Sequence, residues 1–186
     1  MKLGSGFTII ELMIAVALLA VAVTIGVPSF QSLMERNQLA SSNNSFLSSL
    51  MLARSEAVKR KQRVTVCASA DGIACNGASY EDGWIVVMND EAASANPPAD
   101  SILWQHEGLP SSLTLRGRGN YATQITFTPV GRVAGINGRF TLCKDDQIDK
   151  ARVLQFLTSG RMHQGKIGPD GVPLENDNST PITACV

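Results

Sequence analysis

The alternation of apolar and polar positions divides the chain into three stretches. Residues 7–30 are apolar almost throughout, with one charge at Glu11. A helix over these residues is about 36 Å long at about 1.5 Å per residue, which is enough to span the hydrocarbon core of a bilayer. In residues 31–62, apolar positions recur at steps of three and four, which predicts an amphipathic helix. In residues 63–186 the period falls to two, which predicts short strands.

The first two stretches predict one continuous helix that is a membrane anchor at one end and a wall of the globular core at the other. Pro28 predicts a kink in this helix rather than its end, because proline removes only one helical hydrogen bond. The predicted core-facing stripe consists of Leu33, Met34, Leu39, Phe46, Leu47, Leu50, Met51, Ala53, Ala57 and Val58. The residues assigned to the opposite, polar side are Glu35, Arg36, Asn37, Gln38, Asn43, Asn44, Arg54 and Lys59.

The third stretch contains about seven segments rich in β-branched and aromatic residues, separated by Gly, Pro, Asn and Asp. Seven strands and one amphipathic helix predict an α+β fold, with the long N-terminal helix packed on antiparallel sheets or a β-sandwich. The loop DEAASANPPAD between two of the strands is predicted to be exposed. The strand segments are VTVCA, GWIVVMN, SILWQHE, SLTLR, TQITFTP, GRFTLCK and RVLQFL.

Composition and motifs narrow the possible functions. The 186 residues leave room for one globular domain beside the helix. Lys and Arg together number 16, as do Asp and Glu, so the bulk charge predicts no nucleic-acid binding. The chain lacks the common nucleophile, phosphate-loop, dinucleotide and zinc-protease motifs. His106 is predicted to be a half-exposed strand residue rather than a general base, and we expect no catalysis and no cofactor.

The residues before the apolar run carry the most specific motif in the chain. Small residues lie before the run, whereas a secretory signal peptide has its small-residue cleavage site after it. Gly6, Phe7, Thr8 and Glu11, in the order G-F-T-x-x-E-L, resemble the prepilin signature of type IV pilins and type II secretion pseudopilins. The resemblance implies that residues 1–6 are a leader, that a prepilin peptidase cuts after Gly6, and that the new N-terminal Phe7 is methylated.

Glu11 is an ionisable residue within a predicted membrane span. A carboxylate inside a bilayer is costly without a partner, and such residues usually face protein and have a function. The resemblance implies that Glu11 pairs with the N-terminal amino group of a neighbouring subunit during filament assembly. The alternative is that Glu11 remains hydrated near the cytoplasmic interface.

A second resemblance lies at the end of the helix. The string ARSEAVKRKQRVTVC is similar to the corresponding segment of the GspH/FimT group, which includes FimU-type minor pilins. It implies a minor pilin of the type IV pilus, held in the inner membrane by one span with residues 63–186 in the periplasm, and a structural subunit of a filament or its tip complex. The implied partners are a prepilin peptidase, other minor pilins, the major pilin and membrane lipid. The first alternative is a GspH-type pseudopilin of type II secretion.

Four cysteines lie in the part predicted to face the periplasm, where disulfides persist. Cys67 and Cys75 are close in sequence across a strand end and a turn, which favours a local bridge. Joining Cys143 to Cys185 would fix a C-terminal tail that is rich in Pro, Gly and Asn. We therefore predict these two pairs among the three possible pairings. A zinc site is the alternative, but the chain has no C-x-x-C and its histidines are far from the cysteines in sequence.

Two basic segments raise the possibility of DNA binding. Arg161, His163 and Lys166 follow the last predicted strand, in glycine-flanked backbone that could lie along a phosphate chain. Gly160 and Arg161 resemble the G-R-x-R motif that FimT-type minor pilins use to bind DNA, although His163 replaces the second arginine and is mostly neutral at pH 7. The alternative is a turn glycine followed by a solvated arginine.

The second basic segment covers residues 54–63 at the end of the predicted helix and contains five cations. Cations are favourable at a helix C-terminus, and Glu56 can pair with Arg60 one turn later. Contact with phospholipid or nucleic acid is the functional alternative.

Overall fold

In a computed structural model, the protein is described over residues 8–88, 97–175 and 179–185. Within these residues it has one α-helix, eight strands and three short 3-10 helices. The chain divides into two compact units, Met1–Gln38 and Leu39–Val186. The long helix α1 (Ile9–Arg60) contributes to both units.

The first unit consists, in its described part, of the apolar portion of α1. Its side chains are exposed, for example 81% for Ile9, 66% for Leu18 and 69% for Ile25. Pro28 lies inside the helix, as the sequence predicts. Among the described residues, α1 is the helix with the length and composition to cross a membrane, with a mean hydropathy of 2.6 over its most apolar 18-residue window and none of that window buried.

The second unit contains two four-stranded antiparallel sheets. Together with the helix they confirm the α+β fold class with a long N-terminal helix and antiparallel sheets. Sheet A has the order β3-β2-β1-β5, and sheet B has the order β4-β6-β7-β8. The strands of sheet A are β1 (Val64–Ala68), β2 (Gly83–Met88), β3 (Ile102–Glu107) and β5 (Gln124–Phe127). The strands of sheet B are β4 (Leu113–Gly117), β6 (Gly138–Lys144), β7 (Gln147–Phe156) and β8 (Met162–Gln164).

The core of the second unit is centred on an aromatic cluster. The Phe46 ring of α1 lies edge-on to Tyr80, Trp84 and Phe140, with ring centroids 4.7–5.3 Å apart within the cluster. All four side chains are at most 1% exposed. Edge-to-face pairs at such distances add to the large stabilisation that comes from burying the rings.

The helix face that packs on this core differs in part from the predicted stripe. Asn43, which we assigned to the polar side, is 5% exposed. Met51 and Val58, which we assigned to the core, are about half exposed, as are the predicted stripe residues Leu33 and Met34. Positions 39, 43, 46, 50, 53 and 57 follow alternating steps of four and three, so the position of Asn43 on the helix overrides its polarity.

The strand prediction missed β8, which pairs with β7 in the register Gln155↔His163 and Phe156↔Met162. The segment that we expected to be a loop after the last strand is therefore an edge strand of sheet B. The helix also ends at Arg60, two residues before the predicted boundary. Most of the loop DEAASANPPAD lies outside the described residues.

Candidate functional site

The N-terminal site begins with Thr8 and Glu11, while the predicted cleavage and methylation residues Gly6 and Phe7 lie outside the described residues. Glu11 Oε2 accepts hydrogen bonds from the backbone N–H and the hydroxyl of Thr8, each at 2.9 Å. The Glu11 backbone N–H in turn donates to Thr8 Oγ1 at 3.3 Å. This reciprocal pattern is a capping box, which satisfies helix N–H groups that have no partner in the first turn.

The capping box has a consequence for the role of Glu11. The spacing T-x-x-E is a helix-start signal that our sequence analysis did not use. Because the carboxylate already has a partner in its own chain, its cost in an apolar environment is lower than for an isolated charge. The two bonds from Thr8 thus stabilise the charged form of Glu11 at the start of the exposed apolar helix.

The second unit contains two disulfides, Cys67–Cys75 and Cys143–Cys185. They are the two pairs that the sequence analysis predicts, and no cysteine is free. Cys185 and Ile182 of the tail are buried with Cys143 and Val153 in a small cluster, so the tail lies against sheet B. The zinc alternative does not hold for these cysteines, because their sulfur atoms are bonded to each other.

The tail is also held by polar contacts that the sequence did not reveal. Gln155 Nε2 donates to the carbonyl oxygens of Leu174 and Glu175, at 3.3 and 3.0 Å. The Glu175 carboxylate forms ion pairs with Arg118 and with Arg139, each at 2.5 Å. Arg139 is only 3% exposed, so Glu175 is the counter-ion of a buried guanidinium. The hydrogen bond from Arg139 is the main cause that lowers the pKa of Glu175, burial opposes it, and the charges of Arg139 and Arg118 lower it further.

His163, one of the three candidate DNA ligands, is part of this polar network. Its Nε2 lies 2.9 Å from Gln155 Oε1. Because the Gln155 amide nitrogen donates to two carbonyls, the amide oxygen must accept, and His163 Nε2 carries the proton. The ring of His163 is therefore bonded to Gln155, on an edge strand rather than in the loop that we expected, while the residue is exposed and its role in DNA binding stays a prediction.

Arg161 and Lys166 remain exposed on either side of β8. Neither forms an ion pair within the part of the chain that the structure describes. Gly160 precedes Arg161 with a φ of +76°, and a Cβ there would lie 2.0 Å from the carbonyl oxygen of Gly131. The glycine is thus required by a close backbone approach, whatever Arg161 binds.

Three of the five cations in the basic segment at the end of α1 contact other groups of the chain, and Glu56 is the one acid within residues 54–63. Arg54 donates from Nε to the carbonyl oxygen of Gly131 at 2.9 Å and from Nη2 to that of Ser159 at 3.3 Å. Glu56 forms ion pairs with Arg60 and Lys59. Arg54 therefore joins the helix to two loops, and contact of this segment with an anionic partner stays a prediction.

His106 lies on β3 and is half-buried, as expected from the sequence. Its ring stacks on Trp84 with a centroid distance of 3.9 Å and an interplanar angle of 8°. Its Nδ1 donates to the carbonyl oxygen of Glu107 at 2.5 Å. These contacts orient the ring as part of the fold.

Sequence comparisons give a family for this arrangement. The family described as Type II transport protein GspH matches residues 42–160, which is more than half of the chain. The prokaryotic N-terminal methylation motif matches residues 1–27. A comparison with curated proteins finds no match.

Two solved structures of one protein share the fold, and a third structure is less similar. The type IV minor pilin FimU of Pseudomonas aeruginosa PAO1, in space group P21, is similar with a TM-score of 0.60 and 24% identity, over 83% of this chain and 99% of FimU. A second FimU crystal form, P65, gives a TM-score of 0.55 and 23% identity over 80% of this chain and 100% of the other. The minor pseudopilin EpsH from the type 2 secretion system of Vibrio cholerae gives 0.43 and 19%, over 68% of this chain and 95% of EpsH.

The structure and the family match indicate the same class of protein. The structural features are the exposed apolar helix, the capping residues at its start and the two-sheet domain. Members of this family are structural subunits rather than known enzymes, and they assemble with other pilins or pseudopilins. The chain belongs to the GspH family of minor pilins and pseudopilins.

Proposed function

We propose that this protein is a minor pilin of a type IV pilus, anchored in the inner membrane by α1 with its second unit in the periplasm. On docking, the apolar part of α1 moves from lipid into the helical core of a filament or its tip complex. The observation that carries the proposal is the first unit, in which large apolar side chains are exposed along the described helix behind one acidic residue, Glu11. The similarity of the fold to the minor pilin FimU adds support.

In this proposal the Glu11 carboxylate receives the N-terminal amino group of a neighbouring subunit. Both of its intrachain bonds end on Oε2, and a carboxylate can accept about four hydrogen bonds. A charge-assisted bond to an ammonium group in a low-dielectric surrounding is stronger than a neutral one. The docking bond therefore adds to the capping bonds without replacing them.

The capping box allows the docking role to be separated from a purely structural one. Glutamine also completes a capping box, so Glu11→Gln keeps the helix start and removes the charge. We expect Glu11→Gln to insert into the membrane at wild-type levels and to be absent from sheared filaments. The measurement is an immunoblot of the membrane and filament fractions from cells that make the pilus.

Thr8→Val is the matched control, because it removes the capping hydroxyl and keeps the carboxylate. We expect this variant to enter filaments, with reduced yield at most. Normal incorporation of Glu11→Gln would refute the docking role, and equal loss in both variants would assign Glu11 to capping alone.

Docking also requires processing of the leader. We propose cleavage between Gly6 and Phe7, followed by methylation of Phe7, on the support of the methylation motif over residues 1–27. Mass spectrometry of the protein from cells is expected to find an N-terminus at methylated Phe7. A mature N-terminus downstream of the apolar helix would overturn the proposal.

The alternative function is a minor pseudopilin of type II secretion, favoured by the description of the matching family. The architecture is the same and the partners differ. Cross-linking in cells followed by mass spectrometry separates the two, because neighbours are pilins in one case and pseudopilins in the other. Deletion is expected to impair piliation under the first proposal and protein secretion under the second.

DNA binding is a second candidate function, supported by the exposed cations Arg161 and Lys166 beside β8. We propose that such binding would use these two side chains, with His163 held in its contact with Gln155. Retention of double-stranded DNA by the full chain should then weaken as salt rises, because phosphate contacts release counterions. Arg161→Ala should lower the salt slope by about one.

Lys59→Ala is the matched control for this test, because Lys59 is 74% exposed but is paired with Glu56 on the helix. It should leave DNA retention unchanged. Absence of retention at low salt, or equal retention by the Arg161→Ala variant, would remove the DNA-binding function and leave the assembly proposal intact.

A further inference from the structure

A groove of about 480 Å³ lies in the second unit between α1 and the edge of sheet A. Its volume is within the range of roughly 300–1,000 Å³ that small-molecule sites occupy. One wall is the helix and the other is the edge strand β3. The lining residues used below are Ser41, Asn44, Ser45 and Ser48 of the helix, with Trp104 and His106 of β3.

The β3 wall presents aromatic surface. In register, Trp104 is opposite Val86 and His106 is opposite Trp84. Since Trp84 and Val86 belong to the core beneath the helix, their neighbours on β3 share the helix-facing side of the sheet. Trp104 is nevertheless 52% exposed, so it offers an indole surface to the groove.

The helix wall presents polar groups without partners. Within the described part of the chain, no side-chain hydrogen bond occupies the hydroxyls of Ser41, Ser45 and Ser48 or the amide of Asn44. The neighbouring Ser49, by contrast, accepts from Trp84 Nε1 at 2.9 Å and donates to a helix carbonyl at 3.1 Å. Four adjacent residues on one helix face thus keep donors and acceptors available.

His106 adds one directed acceptor. Its Nδ1 proton is used in the bond to the carbonyl oxygen of Glu107. The neutral imidazole therefore has an acceptor at Nε2, since only one ring nitrogen carries hydrogen. A hydroxyl group is the simplest donor for such a nitrogen.

Among the residues that the structure describes, the groove lining contains no Lys, Arg, Asp or Glu. It offers no counter-charge to a phosphate, a sulfate or a metal ion, and charged ligands would lose hydration without compensation. An exposed indole opposite uncharged hydroxyl and amide groups instead suits a ligand with apolar C–H faces and several hydroxyls. We propose that this groove binds a neutral oligosaccharide, with one sugar ring stacked on Trp104 and its hydroxyls bonded to the serine and asparagine side chains.

An extended peptide is the other possible occupant, because β3 is the edge of sheet A in the described residues. A peptide that adds a strand lies in the plane of the sheet and bonds to its backbone edge. The groove instead lies on the helix-facing side of β3, where side chains and not backbone groups form the walls. The observations therefore favour the saccharide.

The test uses the full chain in a detergent that contains no sugar. Maltotriose, cellotriose and triacetylchitotriose are the probes, and saturation-transfer NMR with titration gives the affinity. We expect at least one probe to bind with a dissociation constant of about 1 mM or below. Binding should not change with salt, because no charge takes part.

Three variants locate the binding. Trp104→Ala should weaken it by roughly tenfold or more, Trp104→Phe should retain most of it, and the double change Ser45→Ala with Ser48→Ala should weaken it. The control Ile167→Ala removes an exposed apolar side chain outside the groove, 67% exposed, and should change nothing.

Failure of all three probes to bind at millimolar concentration would overturn the proposal. Equal binding by the Trp104→Ala and wild-type chains would also overturn it, as would binding to the edge strand by peptides alone. None of these outcomes depends on filament assembly. The proposed pilin function is therefore tested independently of saccharide binding.

Discussion

The two units of this protein use apolar residues of the same helix in opposite ways. Phe30 in the first unit is 63% exposed, whereas Phe46 in the second is 1% exposed and contacts three aromatic rings. The second unit completes its apolar contacts inside the chain. The first unit exposes a long continuous apolar surface, and such surfaces mark sites of contact with membranes or other proteins. Its packing partners must therefore come from outside the chain.

This difference explains why one chain can serve both as a folded domain and as an assembly subunit. A membrane or a bundle of neighbouring helices can supply the missing contacts of the first unit. The second unit needs neither, because its disulfides, aromatic cluster and tail contacts are internal. Stability and assembly should therefore respond to different substitutions.

The largest expected effect tests this separation directly. Phe46→Ala should lower the free energy of unfolding of the second unit by about 3–5 kcal/mol, because it leaves a cavity at the centre of the aromatic cluster. Phe30→Ala is the matched control on the same helix and should change that free energy by less than about 0.5 kcal/mol. Denaturant unfolding of the full chain, followed by circular dichroism, gives both values.

If Phe30→Ala destabilised the second unit as much as Phe46→Ala does, the two units would not be independent in stability. If Phe30→Ala left unfolding unchanged but reduced recovery in filaments, Phe30 would act in assembly alone. The second result would place the two phenylalanines in two separate kinds of packing.

The sequence predicted the two uses of the helix from period and composition alone. A continuous apolar run has no polar side to face water, whereas steps of three and four create one buried face. The same periodicity failed at Asn43, because polarity was given more weight than position, and it left Ser49 unassigned. Ser49 is buried with its hydroxyl bonded to Trp84, a partner that lies 35 residues away and has no local signal.

The second effect concerns the covalent bridges of the second unit. The Cys143–Cys185 bridge closes a sequence separation of 42, and Cys67–Cys75 closes one of 8. Loop-closure entropy predicts a loss of about 4 kcal/mol when both cysteines of the long bridge become alanine, and about 2.5 kcal/mol for the short one. Thermal unfolding of the two double variants measures the order.

A reversed order would show that the tail contributes little to the stability of the second unit without its bridge. The second unit would then not be complete in its internal contacts, because the tail would need a partner outside the chain, as the first unit does. Alanine at both positions avoids a free thiol that could form new bridges.

The third effect concerns Arg54, which joins the helix to the loops at Gly131 and Ser159. Arg54→Ala should cost about 1–2 kcal/mol, because two hydrogen bonds from a charged donor are lost at a partly exposed site. The matched control is Lys59→Ala, a 74% exposed cation one and a half turns later, which should cost less than about 0.5 kcal/mol. Equal effects would mean that Arg54 is also a solvated surface cation.

Much of the candidate site could be predicted from the sequence. The remaining features could not, because they depend on contacts between segments that are far apart in sequence or on an element too short to show a period. The cysteine pairs followed from spacing and from the composition of the tail. The role of Arg54 and the pairing of His163 with Gln155 depend on contacts between distant segments, and β8 is only three residues long, too short for a period to appear. The capping box of Thr8 and Glu11 could have been predicted from the T-x-x-E spacing. The sequence analysis used these two residues only for the prepilin signature and the docking role.

The smallest expected effect is the pH dependence of the tail. Because the pKa of Glu175 is lower in the folded protein, its ion pairs stabilise the fold above the unfolded value of 4.5, and this contribution is lost as pH falls through the lower, folded value. Wild type and Glu175→Gln should therefore differ in melting temperature by a few degrees near pH 7 and converge in acid. Glu107→Gln, at an exposed carboxylate on β3 without an ion pair among the described residues, is the control and should match wild type throughout. A constant difference between wild type and Glu175→Gln across this range would mean that the tail is held by its disulfide and Gln155, without help from the charge of Glu175.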